Sequence, residues 1–163
     1  KNPKAAASLS TSLQQGKIEK WYQAVICGKP VDNNGTYVDY LKQDKKNNCS
    51  RIVDKSDPDG KRAELEYKVL DCMQTEEKDP QYLSLVEIKL LTGRHHQIRV
   101  QFSGHGTPLY GDGKYGNNEK AVRKSLALCA CHLRFKHPAT GRIMDFQIKP
   151  DTGAFKLFSK NIS

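Results

Sequence analysis

Ala63-Glu64-Leu65-Glu66-Tyr67-Lys68-Val69 decides the class of fold. Apolar and charged side chains alternate with a period of two, as in a strand with one face on a core and one in water. Working outward, Val86, Ile88 and Leu90 alternate with Glu87 and Lys89 in a second strand, and Lys20, Tyr22, Ala24 and Ile26 share one face of a third over residues 18–26. Residues 36–42 read as a short strand. Residues 126–135 and 143–148 flank Pro138-Ala139-Thr140-Gly141, a hairpin signal. Two helices are predicted. Residues 3–15 have Asn2 as cap, Pro3 at the first position and Ala5, Leu9 and Leu13 on one face, with Gly16 ending the helix. Residues 94–103 have Thr92 as cap, Ile98 and Phe102 one turn apart and Gly104 closing. The polar run 45–60 reads as a mobile loop, 76–80 as a turn and 119–124 as a weak helical turn. The expected class is α+β, a mixed and largely antiparallel sheet with one or two helices packed on it, in a single domain spanning 1–163.

Charge divides the chain. Residues 1–88 carry 14 Lys+Arg and 14 Asp+Glu, whereas residues 89–163 carry 13 basic and 4 acidic residues, so the whole net charge of +9 lies in the second half. A surface that tracks phosphates is the better reading of that excess, because it begins at a Gly/Arg/His-rich block. No apolar run approaches the ~18 residues of a membrane span. The five cysteines, 27, 49, 72, 129 and 131, are odd in number and scattered, which points to reduced thiols and an intracellular, cytoplasmic setting. Cys129-Ala130-Cys131-His132 lies in an apolar strand pattern and lacks a second ligand pair at zinc spacing, so structural cysteines are expected rather than metal.

The block itself is Leu91-Thr92-Gly93-Arg94-His95-His96-Gln97-Ile98-Arg99-Val100, followed by Gly104-His105-Gly106-Thr107-Pro108-Leu109-Tyr110-Gly111-Asp112-Gly113-Lys114-Tyr115-Gly116. A helix beginning near Thr92 would aim unpaired backbone N–H groups at an anion. Arg94 and Arg99 would lie about 140° apart on that helix, so one can grip phosphate while the other enters a pocket. Adjacent His95 and His96 would point about 100° apart, which disfavours joint chelation. The glycine loop is no P-loop, because no G-K-S/T follows the required spacing. Asp112 reads as a structural turn, and His105 and His137 as structural.

These residues resemble the RluA-type pseudouridine synthases, whose pattern is T-G-R-x-H-Q-I/L-R followed by G-x-P-I/L-x-G-D-x-x-Y-G. Lys17-Ile18-Glu19-Lys20-Trp21-Tyr22 is similar to the family's K-x-Y strand entry, and Gly60 to Tyr67 to its central strand. Leu126 to Pro138 is similar to its L-x-L-H-A-x-x-L-x-F-x-H-P segment, with Cys129 where histidine is usual. The likeness runs in order through residues 1–150. It implies that Arg99 pairs with a catalytic aspartate, that Ile98 packs on the target base, and that Tyr22 stacks on the uracil and accepts or relays its C5 proton. Lys20 and Arg94 would hold the RNA backbone, with His96 and Gln97 ordering the loop or touching the RNA. The family's H-R-L-D-x-x-T-S-G motif does not occur in these 163 residues. An N-terminally incomplete catalytic domain is therefore expected, inactive alone, with an RNA-binding module devoid of catalysis as the alternative. The implied partner is rRNA or tRNA, with no metal or organic cofactor, and exposed sheet edges would allow self-association.

Overall fold

A computed structural model describes residues 2–76, 81–116 and 124–158. Seven strands form one sheet: β1 (Glu19–Cys27), β2 (Asn34–Asp44), β3 (Cys49–Val53), β4 (Lys61–Gln74), β5 (Tyr82–Leu90), β6 (Leu128–Lys136) and β7 (Ile143–Gln147). Their order is β3-β2-β4-β5-β1-β6-β7, and every neighbouring pair is antiparallel. With helices α1 (Pro3–Gln14) and α2 (Gln97–Gly104), the class is α+β.

Both faces of the sheet centre are buried, which explains the near-continuous apolar runs Ala24-Val25-Ile26 and Leu83 to Val86. On one face α2 lays Ile98 and Phe102 over Ala24, Ile26, Leu65, Val86 and Ile88. On the other, a 3-10 helix (Gly153–Phe158) places Phe155 and Phe158 against Val25, Leu83 and Leu85. Each of these leucine, isoleucine, valine and phenylalanine side chains contributes about 1.5–3 kcal/mol by its burial. Helix α1 is different. Asn2 caps it through Lys4 N–H at 3.0 Å, yet none of its residues is buried and Leu13 is half exposed. Its predicted apolar stripe meets no core.

Three expectations are corrected. Residues 45–60 are not one mobile loop, for they contain β3, which pairs with β2 from Tyr40↔Val53 to Asp44↔Cys49. Asp44 forms the tip by accepting Asn47 N–H at 3.1 Å, and Asn48 takes the left-handed conformation (φ 48°). The strand at 36–42 is longer, running Asn34–Asp44. Helix α2 does not start at Arg94, because His96 is left-handed (φ 54°) and helical geometry begins at Gln97. The expected turn at 76–80 and helical turn at 119–124 fall almost wholly outside the described residues.

β3 and β7 are the sheet edges. Near β7, Ile143, Phe146 and Ile148 are 51%, 52% and 63% exposed. No helix among the described residues is long and apolar enough to cross a membrane.

Candidate functional site

The turn before α2 hangs from β4 chiefly at Glu64. The Glu64 carbonyl accepts Leu91 N–H, Thr92 N–H and the Gln97 Nε2 amide at 3.0–3.1 Å, while Glu64 N–H donates to Thr92 Oγ1 at 2.8 Å. Gln97 Oε1 accepts both the Thr92 hydroxyl (2.8 Å) and Arg94 N–H (2.9 Å). Thr92 is thus no helix cap: its hydroxyl is taken by the Gln97 amide and the strand. Gln97 is buried and orders the loop. The N–H group expected to face an anion at Arg94 is already bonded.

Lys20 and Tyr22 project from β1 on the α2 side. Together with Leu133, Phe146 and Ile148 they line a cavity of about 290 Å³. Burial raises the Tyr22 phenol above its usual pKa, and the ring packs on the core cluster that contains Ile98. A second cavity, of about 320 Å³, is lined by Lys20, Leu91, Gly93 and Arg94. The Lys20 ammonium lies 3.4 Å from where a β-carbon on Gly93 would sit, and burial lowers its pKa. Arg94 Nε donates to the Arg62 carbonyl at 2.9 Å. It also borders a cavity of about 450 Å³ with Lys42, Lys45, Lys61 and His95. Lys20 thus stands between the cavity at Tyr22 and the one at Arg94.

Arg99 is held elsewhere. Its Nε and Nη2 donate to Asp112 Oδ2 and Oδ1 at 2.8 and 2.7 Å, a bidentate pair with the carboxylate fully buried. Asp112 also accepts Lys114 N–H and Tyr115 N–H, both at 3.0 Å. Burial pushes this carboxyl up, but Arg99 and the two amides outweigh it and leave it below the usual range. The guanidinium lies 4.9 Å from the Tyr115 ring centre. Among the described residues nothing bonds to Arg99 Nη1. Arg99 does not line the cavity at Tyr22. Ile98, beside it in sequence, is 4% exposed and belongs to the core.

His96 Nδ1 lies 2.9 Å from Tyr115 Oη, which accepts Ser50 N–H at 2.8 Å. His95 bonds through Nδ1 to Ser50 Oγ (2.9 Å) and through Nε2 to Asn48 Oδ1 (3.1 Å). The two imidazoles do not diverge as on a helix, because the left-handed turn brings their rings to 3.8 Å. Burial first, then His95, Arg99 and Lys114, lowers the His96 pKa. An unfolded histidine takes its proton nearer pH 6.5. The stability from neutral His96 is therefore complete above that pH and is lost as pH falls through the lower folded value. Urea midpoints should decline as pH falls below about 6.5, less steeply in His96→Asn; equal slopes would refute this assignment.

Ser50, Asn48 and Tyr115 were not singled out by sequence reasoning. Tyr115 was in view inside the glycine-rich loop, but Ser50 and Asn48 were hidden in a segment that reads as loop. His105 stacks on Tyr37 at 3.8 Å and bonds to Asp39 at 3.1 Å. His137 Nδ1 accepts Ala139 N–H and Thr140 N–H, at 3.3 and 3.2 Å, within the β6–β7 turn. Burial pushes the Cys131 thiol up to about 11, which makes it a poor nucleophile or ligand. Among the described residues no three His, Cys, Asp or Glu side chains gather as a metal site.

Residues 1–104 match the family model described as RNA pseudouridylate synthase, and the chain belongs to that family. Among curated relatives, an uncharacterized RNA pseudouridine synthase of Bacillus subtilis (strain 168) is 37% identical over 147 residues, 90% of this chain and 45% of its own length. Ribosomal large subunit pseudouridine synthase D of Zymomonas mobilis is 33% identical over 154 residues, 90% of this chain and 46% of its own. The chain thus spans about half the length of these relatives. The solved human RNA pseudouridylate synthase domain containing 1 shares the fold, with a TM-score of 0.76 and 23% identity over 92% of this chain and 62% of that one.

Proposed function

We propose that this chain is the uracil-handling part of an RNA pseudouridine synthase, an isomerase that converts uridine to pseudouridine in structured RNA. The nucleophilic aspartate is supplied by sequence outside these 163 residues, so the chain alone is inactive. The observation that carries the reading is the shared cavity of Lys20 and Tyr22, in a chain of this family.

In the reaction the N1–C1′ bond of uridine breaks, a C5–C1′ bond forms, C5 loses its proton and N1 regains one. Tyr22, neutral at physiological pH like any phenol and made still less acidic by burial, stacks on the base and relays the C5 proton. Ile98 supports that ring from the core. The Arg99 edge not used by Asp112 steadies the incoming carboxylate, whose ionised form needs a cationic neighbour. Lys20 and Arg94 hold backbone phosphates, and His96 and Gln97 keep the turn in shape. The uridine must leave its stack, which costs a few kcal/mol unless it lies in a loop. No metal or organic cofactor takes part, and the setting is intracellular. The relatives' names make large-subunit ribosomal RNA the first substrate to test, with tRNA second. The exposed apolar residues near β7 support self-association of the chain as given.

The test restores the upstream aspartate motif and follows tritium release from C5-labelled uridine RNA. Tyr22→Phe and Arg99→Ala should each cut release below a tenth, and retained release would refute their roles. RNA binding should weaken steeply with salt, and Lys20→Ala or Arg94→Ala should each flatten the log–log slope by about 0.7–1. A flat wild-type response would reject the phosphate contacts. Salt-sensitive binding with no release in the restored protein would favour the alternative, a catalytically silent RNA-binding module.

A further inference from the structure

We propose that Tyr115 is a positioning residue for Arg99, coupling the guanidinium's seat to the β2–β3 hairpin. The inference rests on the reading of Arg99 as a functional cation. Tyr115 is fixed at four points. Its N–H donates to Asp112 Oδ1 at 3.0 Å, its carbonyl accepts the Ser103 hydroxyl at 2.6 Å, and its phenol oxygen meets Ser50 N–H and His96 Nδ1 at 2.8 and 2.9 Å. The ring so held lies against the Arg99 guanidinium, 4.9 Å from its centre. The carboxylate that grips two guanidinium nitrogens also grips the tyrosine's backbone, so ring and cation share one support.

The Ser50 amide donates to the phenol oxygen, and the phenol is free to donate its own proton to His96 Nδ1. That needs a neutral imidazole protonated on Nε2. His95 extends the link, since it bonds to Ser50 Oγ and Asn48 Oδ1 on the same hairpin. Lys114 adds a bond from Nζ to the Asn48 carbonyl at 2.8 Å. The hairpin packs on α2 as well, where Gly104 leaves room for Ile52 and any β-carbon would collide with it. A rotation of the Arg99 side chain about its stem is therefore resisted by Asp112 on one edge and by a braced aromatic face on the other.

The test compares Tyr115→Phe, which keeps the ring and loses the hydroxyl, with Tyr115→Leu. In the 163-residue chain, side-chain NMR reads solvent exchange of Arg99 Nε–H and backbone exchange of Ser50. Tyr115→Phe should speed Ser50 exchange about tenfold, as for one lost hydrogen bond, and Arg99 Nε–H exchange about threefold. Tyr115→Leu should speed Arg99 exchange about tenfold or more. With the upstream motif restored, kcat should fall in the order wild type, Phe, Leu while KM stays within about twofold, a split that general loss of structure would not produce. Wild-type Arg99 exchange in both variants, or in Tyr115→Phe alone should the leucine variant not fold, overturns the proposal. If Arg99→Ala keeps full isomerisation, the functional reading of Arg99 fails separately, while the exchange data still decide whether Tyr115 braces it.

Discussion

Asp112→Ala should lower the unfolding free energy by about 3–5 kcal/mol, the range for breaking a buried ion pair from one side. The carboxylate is wholly buried and Arg99 is 18% exposed, so the guanidinium is left in a poorly solvated place without its partner. Two backbone donors, Lys114 N–H and Tyr115 N–H, lose their acceptor at the same time. Arg99→Met combined with Asp112→Leu should recover part of that loss, because the unpaired charge disappears. Recovery stays incomplete because the two amides remain unsatisfied. Urea unfolding followed by circular dichroism checks both, and a loss under ~1 kcal/mol in Asp112→Ala would contradict the burial argument. The pair also has an acid signature. Since Asp112 has a lowered pKa when folded, its contribution is complete above the ordinary carboxylate pKa near 3.9 and disappears as pH falls through the folded value. Asp112→Ala should lack that portion of the acid transition.

Gly111→Ala should destabilise by about 3 kcal/mol or more, combining a left-handed backbone penalty of ~1–2 with overpacking of ~1–3. Its φ is +75°, and an added β-carbon would lie 2.7 Å from the Ser125 carbonyl carbon, a backbone atom that cannot swing aside. Gly141→Ala is the control. That residue is also left-handed (φ +70°) but has nothing within 4 Å of the added carbon, so only the backbone penalty of ~1–2 kcal/mol applies. Equal losses at the two positions would show that the close approach at Ser125 is relieved at no cost. Because Gly111 immediately precedes Asp112, its effect should extend to the Arg99 pair. A double variant with Asp112→Ala should accordingly be less than additive.

What could be read without coordinates follows from which interactions are local. β1, β4 and β5 announce themselves through a period of two that burial imposes residue by residue, and Lys20 and Tyr22 come out on one side by parity alone. β3 does not. Ser50 and Arg51 sit among Asn, Lys and Asp, and the strand exists because its edge pairs with β2 and Ile52 finds Gly104 on α2. Thr92 looks like a helix cap, but Gln97, five residues on, competes for its hydroxyl. Arg99 on α2 and Asp112 are 13 residues apart, and the loop after Gly104 that joins them carries no periodicity to connect them. The resemblance to a family supplied Tyr22 and Arg99 as a pair. Tyr22 lines a cavity and Arg99 is clamped by the buried Asp112.

The strand order has a consequence for how the molecule assembles on the ribosome. β1 leaves the tunnel before its neighbours β5 and β6, and Val25 pairs with Leu85 on one side while Ala24 pairs with Leu128 on the other. The later-made β2–β3 hairpin and β4, which pairs on the other side of β2, can zip locally, whereas the nascent Ala24–Val25–Ile26 segment must wait, adhesive and unprotected, for strands made long afterwards. Such long-range closure slows folding and leaves this apolar stretch open to aggregation until its partner strands arrive.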